Sequence, residues 1–244
     1  ARALAIPLVI QAARITRVTR GWNGVIDLEI RRDRAEVYQP SSTGVPSTVP
    51  ENGLNLPGLT EVILLDIPLL LDADDAKGSG FYWGFVGSGK GWRGADFLRG
   101  LDDTGPFVDV EPQGRELVVG EADNALPGVA LPFDPDSDWD MVNTITVTLR
   151  REDMRLESMT DAEVLAGGNA AYLGPLGNTD GEIIQFANAD LVEPGVYELS
   201  RLRRAQRGTE YGWGDHAIGD TFVLLEAGAL KRADFGLADL NHER

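Results

Sequence analysis

Four arginines stand close together near the C-terminal end of the chain: Arg201, Arg203, Arg204 and Arg207. The planar guanidinium group matches the oxygen geometry of phosphate and carboxylate groups, so this cluster is a candidate binding site for an anionic glycan or phosphate. The alternative is salt bridging to the protein's own carboxylates or to those of a neighbouring subunit. In a chain this acidic we expect the second, and we treat the cluster as an interaction site without catalytic chemistry.

Carboxylates also alternate along residues 134–140, at Asp134, Asp136, Asp138 and Asp140. Calcium prefers oxygen ligands, and loops supply them at alternating positions. The run lacks the glycine expected at the sixth position, which is Trp139, and the glutamate expected at the twelfth, which is Ile145. We therefore expect a solvated acidic linker, with a weak calcium site as the alternative. The run at residues 72–75 is weaker still, and no metal site is predicted.

A glycine-rich stretch from Gly84 to Gly91 nearly matches the phosphate-binding loop of nucleotide-binding proteins. Its last position is Gly91, so the hydroxyl that would hold Mg²⁺ is missing. Gly94 and Gly100 break the residues that follow, whereas a phosphate loop needs a helix N-terminus there. A glycine-rich β turn is the better interpretation.

Side chains for nucleophilic or metal catalysis are scarce. The chain has no cysteine and only two histidines, His216 and His242, which leaves little for a Ser-His-Asp triad or a zinc site. A glycosidase needs two carboxylates across a cleft, but 39 acidic residues guarantee some pair without specific evidence for one. We expect no enzyme activity, no catalytic residue and no cofactor.

Aromatic side chains near glycine-rich turns suggest a surface on which sugars could stack. Aromatics are also the main apolar side chains of small β cores, and a core or interface position is the expected one. The residues concerned are Trp22, Phe81, Tyr82, Trp83, Trp92, Tyr211 and Trp213.

The composition describes a folded, strongly acidic protein. Apolar residues make up 43% of the 244 residues, which supports a real core, and the formal net charge is −17. Such a charge repels phosphate backbones and anionic membrane surfaces, so we expect no nucleic-acid partner. No apolar run approaches the ~20 residues of a membrane helix, so no stable membrane insertion is expected.

Short β-branched runs separated by Gly, Pro, Asn and Asp predict a mainly β chain, with two β-rich domains of barrel or sandwich type and one short helix. Residues 14–20 and 25–30 form a hairpin, and residues 61–71 a strand buried on both faces. The helix lies within residues 160–172, with Thr160 as N-cap and Glu163 at the capping-box position. Further strands are predicted at 81–86, 96–99, 107–110, 141–149, 183–186, 196–199 and 221–226.

Prolines and acidic links divide the chain into four predicted parts. These are entry strands at 1–38, a Pro-rich linker or arm at 39–60, a β domain at 61–132 and a C-terminal β-rich domain at 133–244. The opening run at residues 3–10 is expected to be a strand, with a signal-peptide core as the alternative.

The sequence of residues 180–226 resembles the C-terminal part of gene transfer agent tail hub proteins, which are often described as host-specificity or phage tail proteins. The segment GEIIQFANADLVEPGVYELSRLRRAQRGTE, followed by HAIGDTFVLL from His216, carries the resemblance. Weaker matches in the same order are ARITRVT from Ala13, GWRG from Gly91 and EVLAGGNAA from Glu163. Together they extend over most of the chain.

The resemblance implies a baseplate or tail-tip role, with β domains assembled around a threefold axis. Members of that family are longer and carry a barrel similar to a glycosidase or peptidase, which nothing in this sequence matches. No catalytic residue is therefore carried over. The implied partners are other copies of the chain in a trimer, other tail or baseplate proteins, and a host surface glycan or receptor.

The expected function is a structural component of a phage-like tail tip, located in the tail of a virion or virus-like particle assembled in the host cytoplasm. The first alternative is a carbohydrate-binding β module of a secreted or surface protein, motivated by the aromatic residues near glycine-rich turns. The second is a hydrolase, which would need an acidic pair that the sequence does not single out.

Overall fold

The computed structural model describes residues 13–21, 24–32, 56–100, 104–128, 139–177, 180–214 and 216–235. The chain divides into two compact units, Ala1–Asn52 and Gly53–Arg244. The described part contains no helix with the length and hydropathy of a bilayer-spanning segment. The predicted strand at residues 3–10 and most of the predicted linker at 39–60 lie outside the described residues.

The first unit contains an antiparallel hairpin of β1 (Ala13–Arg20) and β2 (Ile26–Arg32). Its turn is closed by a hydrogen bond from the Gly21 amide to the Val25 carbonyl, 2.8 Å long. A β-bulge lies between Ile15 and Arg17, where the Thr16 hydroxyl donates to the Glu29 carbonyl at 3.1 Å. The predicted hairpin is confirmed.

The centre of the second unit is a closed barrel of six antiparallel strands, in the order β10-β11-β8-β7-β12-β9. Closure removes the exposed edges that an open sheet would leave. The strands are β7 (Val119–Ala122), β8 (Ile145–Leu149), β9 (Ala170–Gly174), β10 (Glu182–Glu193), β11 (Val196–Arg203) and β12 (Thr221–Leu224).

The alternation of buried and exposed side chains along the strands shows where the barrel core lies. In β8, Ile145, Val147 and Leu149 are buried, while the intervening threonines are partly or fully exposed. Because successive side chains of a strand point to opposite faces, this pattern directs the aliphatic residues inward. Phe186 and Phe222 fill the barrel interior, with ring centres 6.2 Å apart.

Two smaller sheets pack beside the barrel. A three-stranded sheet has the order β13-β4-β3, and a hairpin joins β5 to β6. Their bounds are β3 (Thr60–Leu65), β4 (Gly80–Gly87), β5 (Ala95–Arg99), β6 (Val108–Gln113) and β13 (Lys231–Asp234). Arg151, just after β8, connects barrel and sheet, because it donates to Glu116 at 2.5 Å and to the Gly87 carbonyl at 2.7 Å.

The central strand β4 is buried on both of its faces. Tyr82 and Val86 belong to the main core, whereas Trp83 and Phe85 form a second, aromatic core with Phe97 of β5. The Trp83 and Phe97 rings stack with centres 4.4 Å apart. Thus β4 joins the two cores.

The one α-helix of the described residues, α1 (Asp161–Leu165), begins as the sequence predicts. The Thr160 hydroxyl accepts from the Glu163 amide, and the Glu163 carboxylate accepts from the Thr160 amide at 2.8 Å, which completes the capping box. The helix ends before Gly167, and residues 170–172 belong to β9, so the helical segment is shorter than the predicted window.

The predicted fold class, mainly β with a barrel and one short α-helix, is confirmed. The prediction of a strand at residues 61–71, buried on both faces, was wrong in its burial. The strand β3 ends at Leu65, and Val62 and Leu64 are 43% and 47% exposed. The physical reason is that β3 lies at the edge of its sheet, so its second face is only partly covered.

The predicted domain boundary at residues 132–133 lies outside the described residues. Strands on its two sides, β7 and β8, pair with each other within the barrel. The four-part division of the chain stays a prediction.

Replacing Trp83 by alanine is expected to lower the free energy of unfolding by about 3–5 kcal/mol, because a fully buried ring leaves a cavity. The measurement is urea denaturation followed by circular dichroism. Tyr211→Ala is the matched control, since Tyr211 is 60% exposed and its loss should change stability by less than about 0.5 kcal/mol. Equal effects of the two substitutions would contradict the aromatic core.

Candidate functional site

The four arginines of the predicted interaction cluster reach separate partners. Arg201 donates to Asp161 at 2.6 Å and lies 5.3 Å from the centre of the Trp139 ring. Arg203 donates to the Gln185 side chain at 2.7 Å, and Arg207 donates to the Leu69 carbonyl at 3.3 Å. Arg204 is fully buried.

Local backbone conformation explains this separation. Arg201 and Arg207 have φ values of 53° and 57°, in the left-handed region that non-glycine residues seldom adopt. Ala205, between Arg204 and the following turn, is left-handed as well, with φ of 51°. Such residues interrupt the regular alternation of the strand, so the guanidinium groups do not form one continuous positive surface.

Arg204 and Glu182 form a buried, two-pronged ion pair, the centre of the candidate site. Nε and Nη2 of Arg204 each lie 2.7 Å from a carboxylate oxygen of Glu182. Both side chains are 0% exposed. The Ala205 amide adds a third hydrogen bond to the carboxylate, at 2.6 Å. Buried charges are tolerated when they are paired and their hydrogen bonds are satisfied in this way.

His216 extends the network from Glu182 towards the surface. Its Nε2 lies 2.9 Å from Glu182 Oε2, and its Nδ1 lies 3.1 Å from Asp220 Oδ2. Each ring nitrogen therefore faces a carboxylate oxygen, so both hydrogen-bonding positions of the imidazole are occupied within the chain.

Asp140 forms an outer layer on the other side of Arg204. Its Oδ2 lies 3.8 Å from Arg204 Nη1, which also donates to the Pro127 carbonyl at 3.1 Å. Asp140 exchanges two backbone hydrogen bonds with Leu202, 2.7 and 3.0 Å long. Its Oδ1 accepts from the Val142 and Asn143 amides, so this carboxylate holds the chain entering β8.

Burial raises the pKa of the Glu182 carboxyl, but hydrogen bonds from His216, Arg204 and the Ala205 amide outweigh that effect. The net result is a pKa below the ordinary value of 4.5. Glu182 is therefore a carboxylate at neutral pH, matched by the guanidinium of Arg204.

The network, called here the buried clasp, consists of Glu182, Arg204, His216, Asp220 and Asp140. It connects the start of β10, the end of β11, the start of β12 and the segments that flank β7 and β8. A cavity of about 320 Å³ reaches His216 and Asp220 but not the Glu182–Arg204 pair. Within the described ranges, no three acidic or histidine side chains are grouped as metal ligands would be.

The other residues singled out in the sequence analysis take part in the fold, as far as they are described. Of the acidic run at residues 134–140, only Asp140 is described, and it belongs to the clasp. Asp74 is buried and accepts from the Tyr82 hydroxyl at 2.7 Å. The glycine-rich stretch from Gly84 completes β4 and a turn that leads to β5, with no helix at its end. Tyr82 and Trp83 lie in the core, and Trp22 lies outside the described residues.

Sequence reasoning singled out Arg204, Asp140 and His216 separately, did not join them, and missed Glu182 and Asp220. Glu182 did carry a signal, because it directly precedes the apolar pair Ile183 and Ile184 at the start of a predicted strand. A charged residue in a buried strand requires a buried partner. Its partners lie 22 and 34 positions away along the chain, so spacing alone could not identify them.

An apolar groove of about 500 Å³ lies in the second unit. It runs between the three-stranded sheet and the β5–β6 hairpin. Its main lining residues are Leu64, Phe81, Phe97, Leu98 and Phe235, with Asp66 and Arg99 as the charged members.

The fold and the clasp define a closed six-stranded β barrel stabilised by a buried ion network. Residues 117–223 match the family model described as Rcc01698-like, C-terminal. The match covers less than half of the chain and coincides with the barrel, from the approach to β7 to the third residue of β12. No curated protein matches the sequence.

Glu182→Gln is expected to lower the free energy of unfolding by about 3–5 kcal/mol, because it leaves the Arg204 charge buried without a counter-charge. Urea denaturation measures the change. Glu198→Gln on the adjacent strand β11 is the control, since Glu198 is exposed and its substitution should change stability by about 0.5 kcal/mol or less. A loss as small as the control's would contradict the role of the clasp.

The clasp also predicts an acid-dependent loss of stability. The folded pKa of Glu182 lies below the unfolded value of 4.5, so its contribution is complete above pH 4.5 and is lost as the pH falls through the folded pKa. Urea midpoints measured from about pH 7 to about pH 3 should fall more steeply for the natural protein than for Glu182→Gln. Asp74 and Asp153, whose pKa values are also lowered, are common to both proteins. Parallel pH profiles would refute the assignment.

Proposed function

We propose that this chain is a structural, non-enzymatic component of a phage-like tail tip or baseplate hub. In this role it joins other copies of itself, as a trimer, and other tail or baseplate proteins, and it helps present the end of the particle that meets a host surface glycan or receptor. Its location is the tail of a virion or virus-like particle assembled in the host cytoplasm.

The structural observation that supports the proposal is a contrast. Charged side chains of the clasp are paired within the barrel, whereas aliphatic side chains of two hairpins are exposed to solvent. Arg204, the most buried member of the arginine cluster, pairs within the chain. Meanwhile the β1–β2 and β5–β6 hairpins leave large aliphatic side chains exposed, among them Val18, Leu98 and Val108. Extended apolar surface of this kind marks protein–protein contact.

The sequence resemblance to tail hub proteins is the reason for proposing that the chain belongs to a phage-like particle. Its longest segment, residues 180–226, contains β10, β11 and β12 and four members of the clasp. The residues it shares with tail hub proteins are thus ones that build the barrel. A structural role follows more naturally from such residues than an enzymatic one.

A carbohydrate-binding β module is the second candidate. The observation that favours it is the groove lined by Phe81, Phe97 and Phe235, because sugars stack on aromatic rings. Against it, Trp83 is fully buried and Trp92 donates its ring N–H to Thr60 at 2.9 Å. Specific binding of the isolated monomer on a glycan array would favour this candidate.

The hub proposal predicts self-association. Light scattering of the purified chain should give three times 26.4 kDa, or the monomer mass with trimers in a longer protein that contains this sequence. The physical reason is that cyclic assembly covers the open strand faces. A stable monomer in both settings would contradict the hub and transfer support to the carbohydrate-binding module.

A further inference from the structure

The β1–β2 hairpin has one aliphatic face and one charged face. Ile15 pairs with Ile30, and Val18 pairs with Leu28, while the bulge between them places Arg17 on the opposite side with Glu29. Ile26 continues this face along β2 and pairs with Arg20, so the face is aliphatic with one arginine at its end. These five aliphatic side chains are between 49% and 61% exposed: Ile15, Val18, Ile26, Leu28 and Ile30.

A two-stranded hairpin of this kind is marginally stable by itself in water. Its stabilisation depends on burying one face against another surface. Contiguous exposed aliphatic patches are uncommon on monomeric proteins and mark contact sites. The aliphatic face of the hairpin therefore calls for an apolar partner surface.

Charge identifies the kind of partner. Residues 1–52 carry seven arginines and five acidic residues, for a net charge of +2. Residues 53–244 carry 15 basic and 34 acidic residues, for a net charge of −19. The hairpin is thus attracted to the second unit of another copy, whereas two hairpins that met through their aliphatic faces would bring their Arg20 side chains together.

The second unit offers an apolar surface of matching character at its groove. Phe81, Phe97 and Phe235 line it, and Leu98, at the rim, is 52% exposed. Edge strand β3 adds the half-exposed Val62 and Leu64 on the same side of the sheet. Asp66 and Arg99 are the charged members of the lining, and the Asp66 carboxylate is of the type that accepts from an arginine of the hairpin.

We propose that the aliphatic face of the β1–β2 hairpin of one copy packs into this groove in the second unit of the next copy. Donor and acceptor surfaces differ, so the contact is heterologous and closes into a ring when the rotation between copies permits. A ring of three agrees with the trimer in the proposed function, on which this inference rests. The hairpin then acts as the arm that links neighbouring copies.

Leu28→Lys tests the donor surface, because it places a charge at the centre of the aliphatic face. We expect light scattering to show monomers where the natural chain forms trimers, with the dissociation constant raised about 100-fold. Thr19→Lys introduces the same side chain on the opposite face, across from Asp27, and should leave the trimer intact. Circular dichroism of each variant establishes that the barrel is folded.

Leu98→Lys tests the acceptor surface, at an exposed position that tolerates a polar side chain. It should also give monomers. A mixture of the Leu28→Lys and Leu98→Lys chains should give a one-to-one heterodimer, because the intact hairpin of the second fits the intact groove of the first. That pair cannot close a ring.

The outcomes separate this inference from the function on which it rests. A natural trimer that persists in Leu28→Lys, or two monomeric variants that fail to form the heterodimer, would overturn the hairpin-to-groove contact and leave the hub proposal standing. A natural chain that stays monomeric at all concentrations, alone and within a longer protein, would overturn both.

Discussion

The Glu182–Arg204 ion pair is the constraint on which the rest of the barrel depends. Two opposite charges lie where no water reaches them, so each is stable only while the other stays within hydrogen-bonding distance. The carboxylate is further held by the Ala205 amide and His216. Because these partners come from different strands and loops, their positions are fixed together.

The same constraint explains the shape of the surrounding chain. Ala205, in the left-handed conformation directly after Arg204, donates its amide to Glu182, and Nη1 of Arg204 donates to the Pro127 carbonyl ahead of β8. Asp140 then pairs with the Leu202 backbone and holds the amides that lead into β8. A small set of polar contacts thus determines how the segments around β7, β8 and β11 approach one another.

Outside the barrel the balance of interactions is different. The aromatic core around Trp83 stabilises the three-stranded sheet, but β3 and the two hairpins leave aliphatic side chains facing outward. The charges of the clasp are paired inside the chain, while these aliphatic side chains remain open to other surfaces. This distribution agrees with the proposed role in assembly.

The sequence by itself determined the local structure. The alternation in residues 145–149 and the capping box at Thr160 depend on neighbouring residues, so both can be predicted from short segments. The mainly β class follows from the sum of such segments. The arginine cluster was visible as a concentration of charge.

Only the tertiary structure decided which of those charges act together. It separated Arg204 from its sequence neighbours and joined it to Glu182, 22 positions earlier, while directing Arg201, Arg203 and Arg207 elsewhere. It also showed that β3 lies at an edge, which its apolar sequence did not indicate. Burial and pairing across a closed barrel depend on long-range strand register, and no local pattern encodes that register.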